Sequence, residues 1–487
     1  MKPGQLFAEL WQIVEPYEAE ATLAPWSGRH AAEFGRLVEL LEGASTADVP
    51  AMVTDYLGRR LVAFSCEVDT PHERAFVVMC ALDQVAMRIH PSIKTRLPGR
   101  SSAGGQMLAA MRAERTMTGA YAELSGKGFV LPKGLLMPGK ERTKGLEQSG
   151  VALAHQFSFL SFVPDLQKSF KLRPMAPPPS QIYVSHDAAQ KVGLAPIAED
   201  RDDFEFSVSD RRHKAFLDTV PRSSITDVRI ENEVSALLDK GAGLVVLPEL
   251  VATSSAVMGL AETLRRAARL GHSLVLTGSG PSEERSKGLD RPFNEAVVMT
   301  GAGEVLFRQR KLNAFNMAAP RMKQCALPRA DGHDDDSHME DCATGSELVL
   351  CDILGLGRVM VLICEDLEQQ TPGGDAALHA QPDWILTPVL DVGLVFGRWE
   401  YRRAVEIGRK TGSRVVVSCS ATLEVRSLGK QNLTETGPNA VRTGFCFDGS
   451  VEMRALHLET GGPALGHHML VEWNPRTWKK HKLVEES

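Results

Sequence analysis

At 487 residues the chain is too long for one ordinary core, and its length sets an expectation of two or three domains, with two as the working number. Its 43% apolar and 24% charged residues are those of a globular protein and exclude a disordered or fibrous chain. A net charge of −6 gives no overall electrostatic reason to expect tight binding to nucleic acid or to an anionic membrane.

The amino-terminal residues run into Glu9 and Glu15 without a continuous apolar stretch, so neither a signal peptide nor a transit sequence is expected. No run approaches the ~20 apolar residues of a membrane-spanning helix. The eight cysteines, at positions 66, 80, 325, 342, 351, 364, 419 and 446, form no CxxC pair, which points to free thiols in a reducing, cytoplasmic setting.

Over the first 165 residues or so, apolar residues recur at helical spacing. Leu6, Phe7, Leu10, Trp11 and Val14 form one stripe; Phe34, Leu37, Val38 and Leu41 form another. Thr70-Pro71-His72-Glu73 has the hydroxyl, proline and returning glutamate of a helix start, and this helix should run towards Ile89. Residues 97–105 interrupt the pattern, which resumes over 106–124. The stripes read as core rather than as cofactor contacts.

Arg173-Pro174-Met175-Ala176-Pro177-Pro178-Pro179-Ser180 reads as an extended linker, because prolines remove backbone donors. The expected division is a helical domain over 1–172, a proline-rich linker over 173–199, a second domain over 200–475 and a tail over 476–487. In the second domain, β-branched runs at 243–247, 273–277, 296–299, 359–363, 384–386 and 414–418 alternate with helical segments such as 252–270 and 398–411. That alternation predicts an α/β domain with covered sheets.

Three segments carry chemistry. Gly243-Leu-Val-Val-Leu-Pro-Glu249 is an apolar strand ending on a carboxylate before a helix, where α/β proteins present functional side chains; alone, such a Glu is an ordinary cap or solvated loop residue. Val359-Met-Val-Leu-Ile-Cys364-Glu365-Asp366 delivers a thiol to a strand-to-helix turn, with the N–H groups of the next helix available to an oxyanion. The two acids behind the thiol oppose thiolate formation, so a positive partner or a dedicated base is required. Gly303-Glu-Val-Leu-Phe-Arg-Gln-Arg-Lys311 leads a strand to a lysine that could supply the charge.

In order and setting, Leu-Pro-Glu249, Asn294 to Lys311, and Val-Leu-Ile-Cys364-Glu-Asp resemble the signature blocks of the nitrilase or carbon–nitrogen hydrolase superfamily, over about residues 200–475. The resemblance implies a four-layer α-β-β-α sandwich, with Glu249 as general base, Cys364 as nucleophile and Lys311 as the cation that stabilises the tetrahedral intermediate, helped by the backbone N–H of Glu365. A second Glu common in the family falls on Glu340, with Glu347 in reserve. The implied reaction is hydrolysis of a non-peptide C–N bond of a small amide or nitrile through a covalent acyl-enzyme, with no cofactor. Family habit implies a homo-oligomer, formed through helices near the nucleophile. The other reading is a catalytically silent or gated binding protein on the same fold, with residues 1–172 docking a protein partner.

The segment His333-Asp334-Asp335-Asp336-Ser337-His338 fits no standard metal-ligand spacing and is expected to be a solvated loop at the pocket mouth. Gly278-Ser279-Gly280 is too short to cradle phosphate. After Lys311 the sequence Leu-Asn-Ala-Phe replaces the family's His-Leu-Phe, and after Asp366 the usual Arg-Phe-Pro-Glu continuation is missing, so the substrate does not carry over from a familiar member.

Overall fold

The computed structural model describes residues 3–18, 28–43, 48–57, 70–91, 103–134, 153–166, 170–185, 187–211, 214–288, 290–333, 336–394, 398–420, 422–428, 442–447, 456–459, 469–473 and 478–481. Cys66, Asp334, Asp335 and the first part of the 97–105 break lie outside these residues.

The capping residues at 70–73 form the predicted helix, Pro71–Ala86. Thr70 accepts from the Glu73 N–H, while the Glu73 carboxylate accepts from the Thr70 N–H. Both apolar stripes feed a core with this helix: Phe7, Leu10, Trp11, Leu37 and Leu41 are buried with Val77, Val85 and Phe157. The region is not all-helical, however. The helix Ala103–Thr118 stops at Gly119, whose φ of 82° suits glycine and where a Cβ would lie 2.5 Å from the Met175 backbone nitrogen. A three-stranded antiparallel sheet follows, built from Ala122–Leu124, Gly128–Pro132 and Leu160–Pro164. Its strands are too short for alternation to stand out in the sequence.

The proline-rich stretch is not a linker either. Lys171–Met175 pairs in parallel with Glu347–Ile353 at the edge of a seven-stranded sheet, the place where Pro174 can sit without an N–H to donate. Lys191–Leu194 lies inside a second seven-stranded sheet, between Leu244–Val246 and Met469–Trp473. Part of the expected tail, Trp478–His481, extends that sheet.

In order, this second sheet runs Val305–Arg310, Pro292–Thr300, Leu274–Arg285, Leu244–Val246, Lys191–Leu194, Met469–Trp473, Trp478–His481. The other runs Leu456–Glu459, Arg442–Phe447, Arg414–Ser420, Trp384–Leu390, Gly357–Val361, Glu347–Ile353, Lys171–Met175. The chain is thus a mixed α/β protein. Val246, Leu276 and Val298 of one sheet belong to the same buried cluster as Leu350, Val361, Leu386 and Val417 of the other. The alternate residues Val245, Val275 and Val297 pack with Val234, Leu237, Leu260 and Leu264 of the helices Ser223–Asp239 and Ser254–Arg266, as the two-residue period of a strand requires. Helices Asp375–Ala380 and Trp399–Thr411 add Ala376, Ala377, Ala404 and Ile407 to the cluster of the other sheet.

The amino-terminal region shares this core. Phe129, Leu131 and Val163 lie in the cluster that joins the two large sheets, and Ser161 Oγ donates to the His379 carbonyl of the helix Asp375–Ala380. Arg358, 1% exposed, donates to Asp352, to the Ala380 carbonyl and to the Pro132 carbonyl, so one guanidinium ties the small sheet to the large one. Among the described residues no helix is long and apolar enough to cross a membrane.

Candidate active site

Glu249, Lys311 and Cys364 lie more than sixty residues apart in sequence between the first and second, yet the two large sheets bring all three to one cavity with Glu340. Glu249 follows Leu244–Val246, and its N–H reaches the Val389 carbonyl of the facing sheet at 3.4 Å. Lys311 follows Val305–Arg310, and its N–H is held by the Asn294 carbonyl at 2.8 Å. Cys364 follows Gly357–Val361, with its N–H on the Pro388 carbonyl at 2.9 Å. Glu340 ends the strand His338–Glu340 of a four-stranded sheet that also contains Phe204–Arg211, Lys214–Pro221 and Asn316–Met317.

The approach of these strand ends is made possible by glycine. Gly278 has φ 78°, and a Cβ there would come to 2.1 Å from the Pro248 carbonyl oxygen. At Gly280 a Cβ would come to 1.8 Å from the Ala252 oxygen. Between them the Ser279 N–H donates to the Pro248 carbonyl at 3.1 Å and its hydroxyl accepts from the Leu250 N–H at 3.3 Å. The Gly-Ser-Gly motif therefore serves the turn that presents Glu249.

Lys311 Nζ donates to Glu249 Oε1 at 2.7 Å and to Glu340 Oε2 at 2.6 Å. Asn294 Nδ2 bridges the same two carboxylates at 2.9 Å each. The Leu390 N–H donates to Glu249 Oε2 at 2.9 Å and the Phe315 N–H to Glu340 Oε2 at 3.1 Å. Lys311 and Glu249 are both 2% exposed at the side chain, so bulk water does not screen their contact. The Cys364 thiol and the Glu249 carboxylate line the same cavity, and each bears on the ionisation of the other. Two residues of the site, Leu250 at φ 59° and Cys364 at φ 48°, hold the left-handed backbone that non-glycine residues avoid.

Ionisation follows from this packing. Burial pushes Glu249 above the usual carboxylate range; Lys311 pulls against it and the Glu340 charge adds to it. At Glu340 burial also acts upward, but the Lys311 charge and its hydrogen bonds outweigh burial and hold the group low. Burial alone would discharge Lys311, whereas the carboxylates of Glu249 and Glu340 carry it well above the ordinary lysine value. The thiol of Cys364 is pushed well up by burial and then by Glu249.

The two acids behind Cys364 do not face the thiol as expected. Asp366 turns to the backbone, accepting from the N–H groups of Leu312, Asn313 and Ile363 and from Asn313 Nδ2. Burial raises it to about 7 against those donors. Glu365 binds Gln369, while its backbone N–H makes no hydrogen bond among the described residues. The residues missed from sequence are Asn294, Asp366 and the N–H groups of Leu390 and Phe315. Asn294 had a signal, as the first residue of the block that ends on Lys311; the others contribute through backbone atoms or through folding.

The reserve candidate Glu347 pairs with Arg173 at 2.6 Å, 39% exposed, away from the cavity. His333 pairs with Asp210 and Asp336 on the surface, and His338 turns inward, accepting from the Ala330 N–H at 3.0 Å. Among the described residues no group of His, Cys, Asp and Glu could hold a metal ion.

The cavity in front of Cys364 measures about 40 Å³. Its walls are mostly apolar, from Phe206, Leu217, Phe315, Met317, Leu390 and Leu423, with Thr219 and His338 as uncharged polar edges. Its charged groups are Glu249, Lys311 and Glu340, which bind one another.

No family model matches the chain, and no curated protein matches it. Similar solved structures include an amidase of Nesterenkonia sp. AN1 from the nitrilase superfamily, at 12% identity over 60% of this chain and 92% of that chain, with a TM-score of 0.37. Saccharomyces cerevisiae Nit3, a member of branch 10 of that superfamily, is 12% identical over 58% of this chain and 90% of its own, with a TM-score of 0.34. Glutamine-dependent NAD+ synthetase from Acinetobacter baumannii is 15% identical over 61% of this chain, with a TM-score of 0.36, and the chain spans 48% of its length.

Proposed function

We propose that the protein is a carbon–nitrogen hydrolase acting on a small amide or nitrile through Cys364, on a four-layer α-β-β-α domain of the nitrilase type. The observation that carries this reading is the convergence on one cavity of the Cys364 thiol and the buried Glu249 carboxylate, itself held at 2.7 Å by a buried lysine. A nucleophile, its base and a cation within one cavity are the parts that covalent acyl transfer needs.

For an amide, Glu249 takes the thiol proton as sulfur attacks the carbonyl carbon. The oxygen gains the negative charge, which Lys311 and the backbone N–H of Glu365 stabilise in this reading. The C–N bond then breaks as the nitrogen takes the proton from Glu249, leaving a thioester and ammonia or an amine. Water gives a proton to Glu249 and adds to the thioester, and the thiol is regained as the acid leaves. Glu340 keeps Lys311 charged and in position throughout.

Because the charges in the cavity are mutually satisfied and its walls are mostly apolar, the acyl part of the substrate is uncharged and largely hydrophobic. A carboxylate-bearing acyl chain would enter with no unpaired cation to meet it. Intact-protein mass spectrometry after exposure to short aliphatic amides and nitriles tests the reading. An acyl adduct on the wild type and none on Cys364→Ala is the expected result. No adduct from any member, with correct mass and folding, favours a silent protein on this fold.

A further inference from the structure

We infer that Thr219 is a specificity-determining residue, whose hydroxyl binds an uncharged oxygen function, such as a hydroxyl, on the acyl part of the substrate. This rests on the hydrolase reading. Thr219 lies on the strand Lys214–Pro221, two residues from Leu217 and directly opposite Phe206 of the neighbouring strand. The two-residue period of a strand and the cross-strand pairing put these three residues on one face, and all three border the cavity in front of Cys364. Phe216, one residue off, belongs to the other face, where Arg291 lies 4.1 Å from its ring centre.

The other hydrogen-bonding side chains of the cavity are committed. Glu249, Lys311 and Glu340 bind one another. His338 accepts from the Ala330 N–H at 3.0 Å through Nε2, and its Nδ1 lies 3.3 Å from the Asp336 carbonyl oxygen. Cys364 is the nucleophile of the proposed reaction. Among the described residues the Thr219 hydroxyl has no partner, and unlike the enclosed hydroxyls of Thr387 and Ser418 it is open to a small molecule. It brings one donor and two acceptor positions to a wall otherwise made of Phe206, Leu217, Phe315 and Met317. Valine has the same shape without the polar group, so the hydroxyl adds nothing to the packing of this wall; it adds discrimination. A substrate oxygen placed against it is satisfied, whereas an alkyl group of the same size leaves the hydroxyl covered and unpaired. A charged function would still meet no unpaired countercharge, because the ionic groups of the cavity are spent on one another.

The test uses the full chain carrying Cys364→Ala, so that turnover plays no part, and pairs of amides in which a hydroxyl replaces a methyl group: β-hydroxypropionamide with butyramide, and lactamide with isobutyramide. Titration calorimetry gives the dissociation constant of each. In at least one pair the hydroxy amide is expected to bind more tightly than its alkyl counterpart. Adding Thr219→Val is expected to shift that preference about tenfold towards the alkyl amide, while Thr219→Ser, which keeps the hydroxyl, retains it. Thr219→Ala serves if the valine variant fails to fold. Tighter binding of the alkyl amide in both pairs, or a preference that survives loss of the hydroxyl, overturns the proposal and leaves the hydrolase reading standing. Binding of none of the four amides removes both.

Discussion

Asp366 and Leu312 are joined by the carboxylate of the first and the N–H of the second, at 3.0 and 3.1 Å, across 54 positions of sequence. Through that contact, and its bonds to the N–H groups of Asn313 and Ile363, one buried acid fixes the residue after Lys311 and the residue before Cys364. Lys311 and Cys364 are thus held by a side chain that does not line their cavity.

Asp366→Asn exchanges one acceptor oxygen for a donor facing backbone N–H groups. A loss of about 2–3 kcal/mol in urea denaturation is expected, with acylation of Cys364 slowed at least about tenfold by mass-spectrometric time course. A variant as stable and as fast as wild type would show that the two strand ends are positioned without it.

Lys311→Met leaves Glu249 and Glu340 buried without their cation, and a destabilisation of about 3–5 kcal/mol is expected. Adding Glu340→Gln should recover part of the loss, because one of the unpaired charges is gone. Additive effects of the two substitutions would contradict the 2.6 Å contact between these residues.

Acid stability follows from the lowered Glu340. A carboxyl held below its unfolded value of 4.5 contributes stability in full above that value and loses it as pH falls through the folded value. Glu340→Gln should therefore be less stable than wild type near neutrality, with the gap closing below about pH 4.5 in melting curves at stepped pH. A constant gap would mean that Glu340 is not held low in the fold.

Arg358→Met removes the bridge between Asp352 and the Ala380 and Pro132 carbonyls, with an expected cost of about 3–5 kcal/mol. Calorimetry of the wild type should show one transition covering the amino-terminal region and the large sheets together. Two separate transitions, with only the first shifted by the substitution, would show independent units.

The strands that end on Glu249 and Cys364 were legible because each is a near-continuous apolar run closed by a group that belongs in water, whereas Val305–Arg310 was legible from the glycine turn before it and the basic residues at its end. Asp366 was legible as an acid but not in its role, since its partners are backbone atoms 53 and 54 residues away in sequence. The proline-rich stretch misled because Pro174 signals an extended chain equally in a linker and in an edge strand; only the pairing with Leu350 decides between them. The small amino-terminal sheet escaped for want of length, its first strand being only three residues.

The four-stranded sheet over the cavity has a consequence of its own. Phe206, Leu217 and Met317 come from it, while Glu249, Lys311 and Cys364 come from the ends of the large sheets. Under the proposed reading, the canopy can be recut by substitution at Phe206, Leu217 or Met317 to admit a different guest while the three groups on the large sheets keep their places.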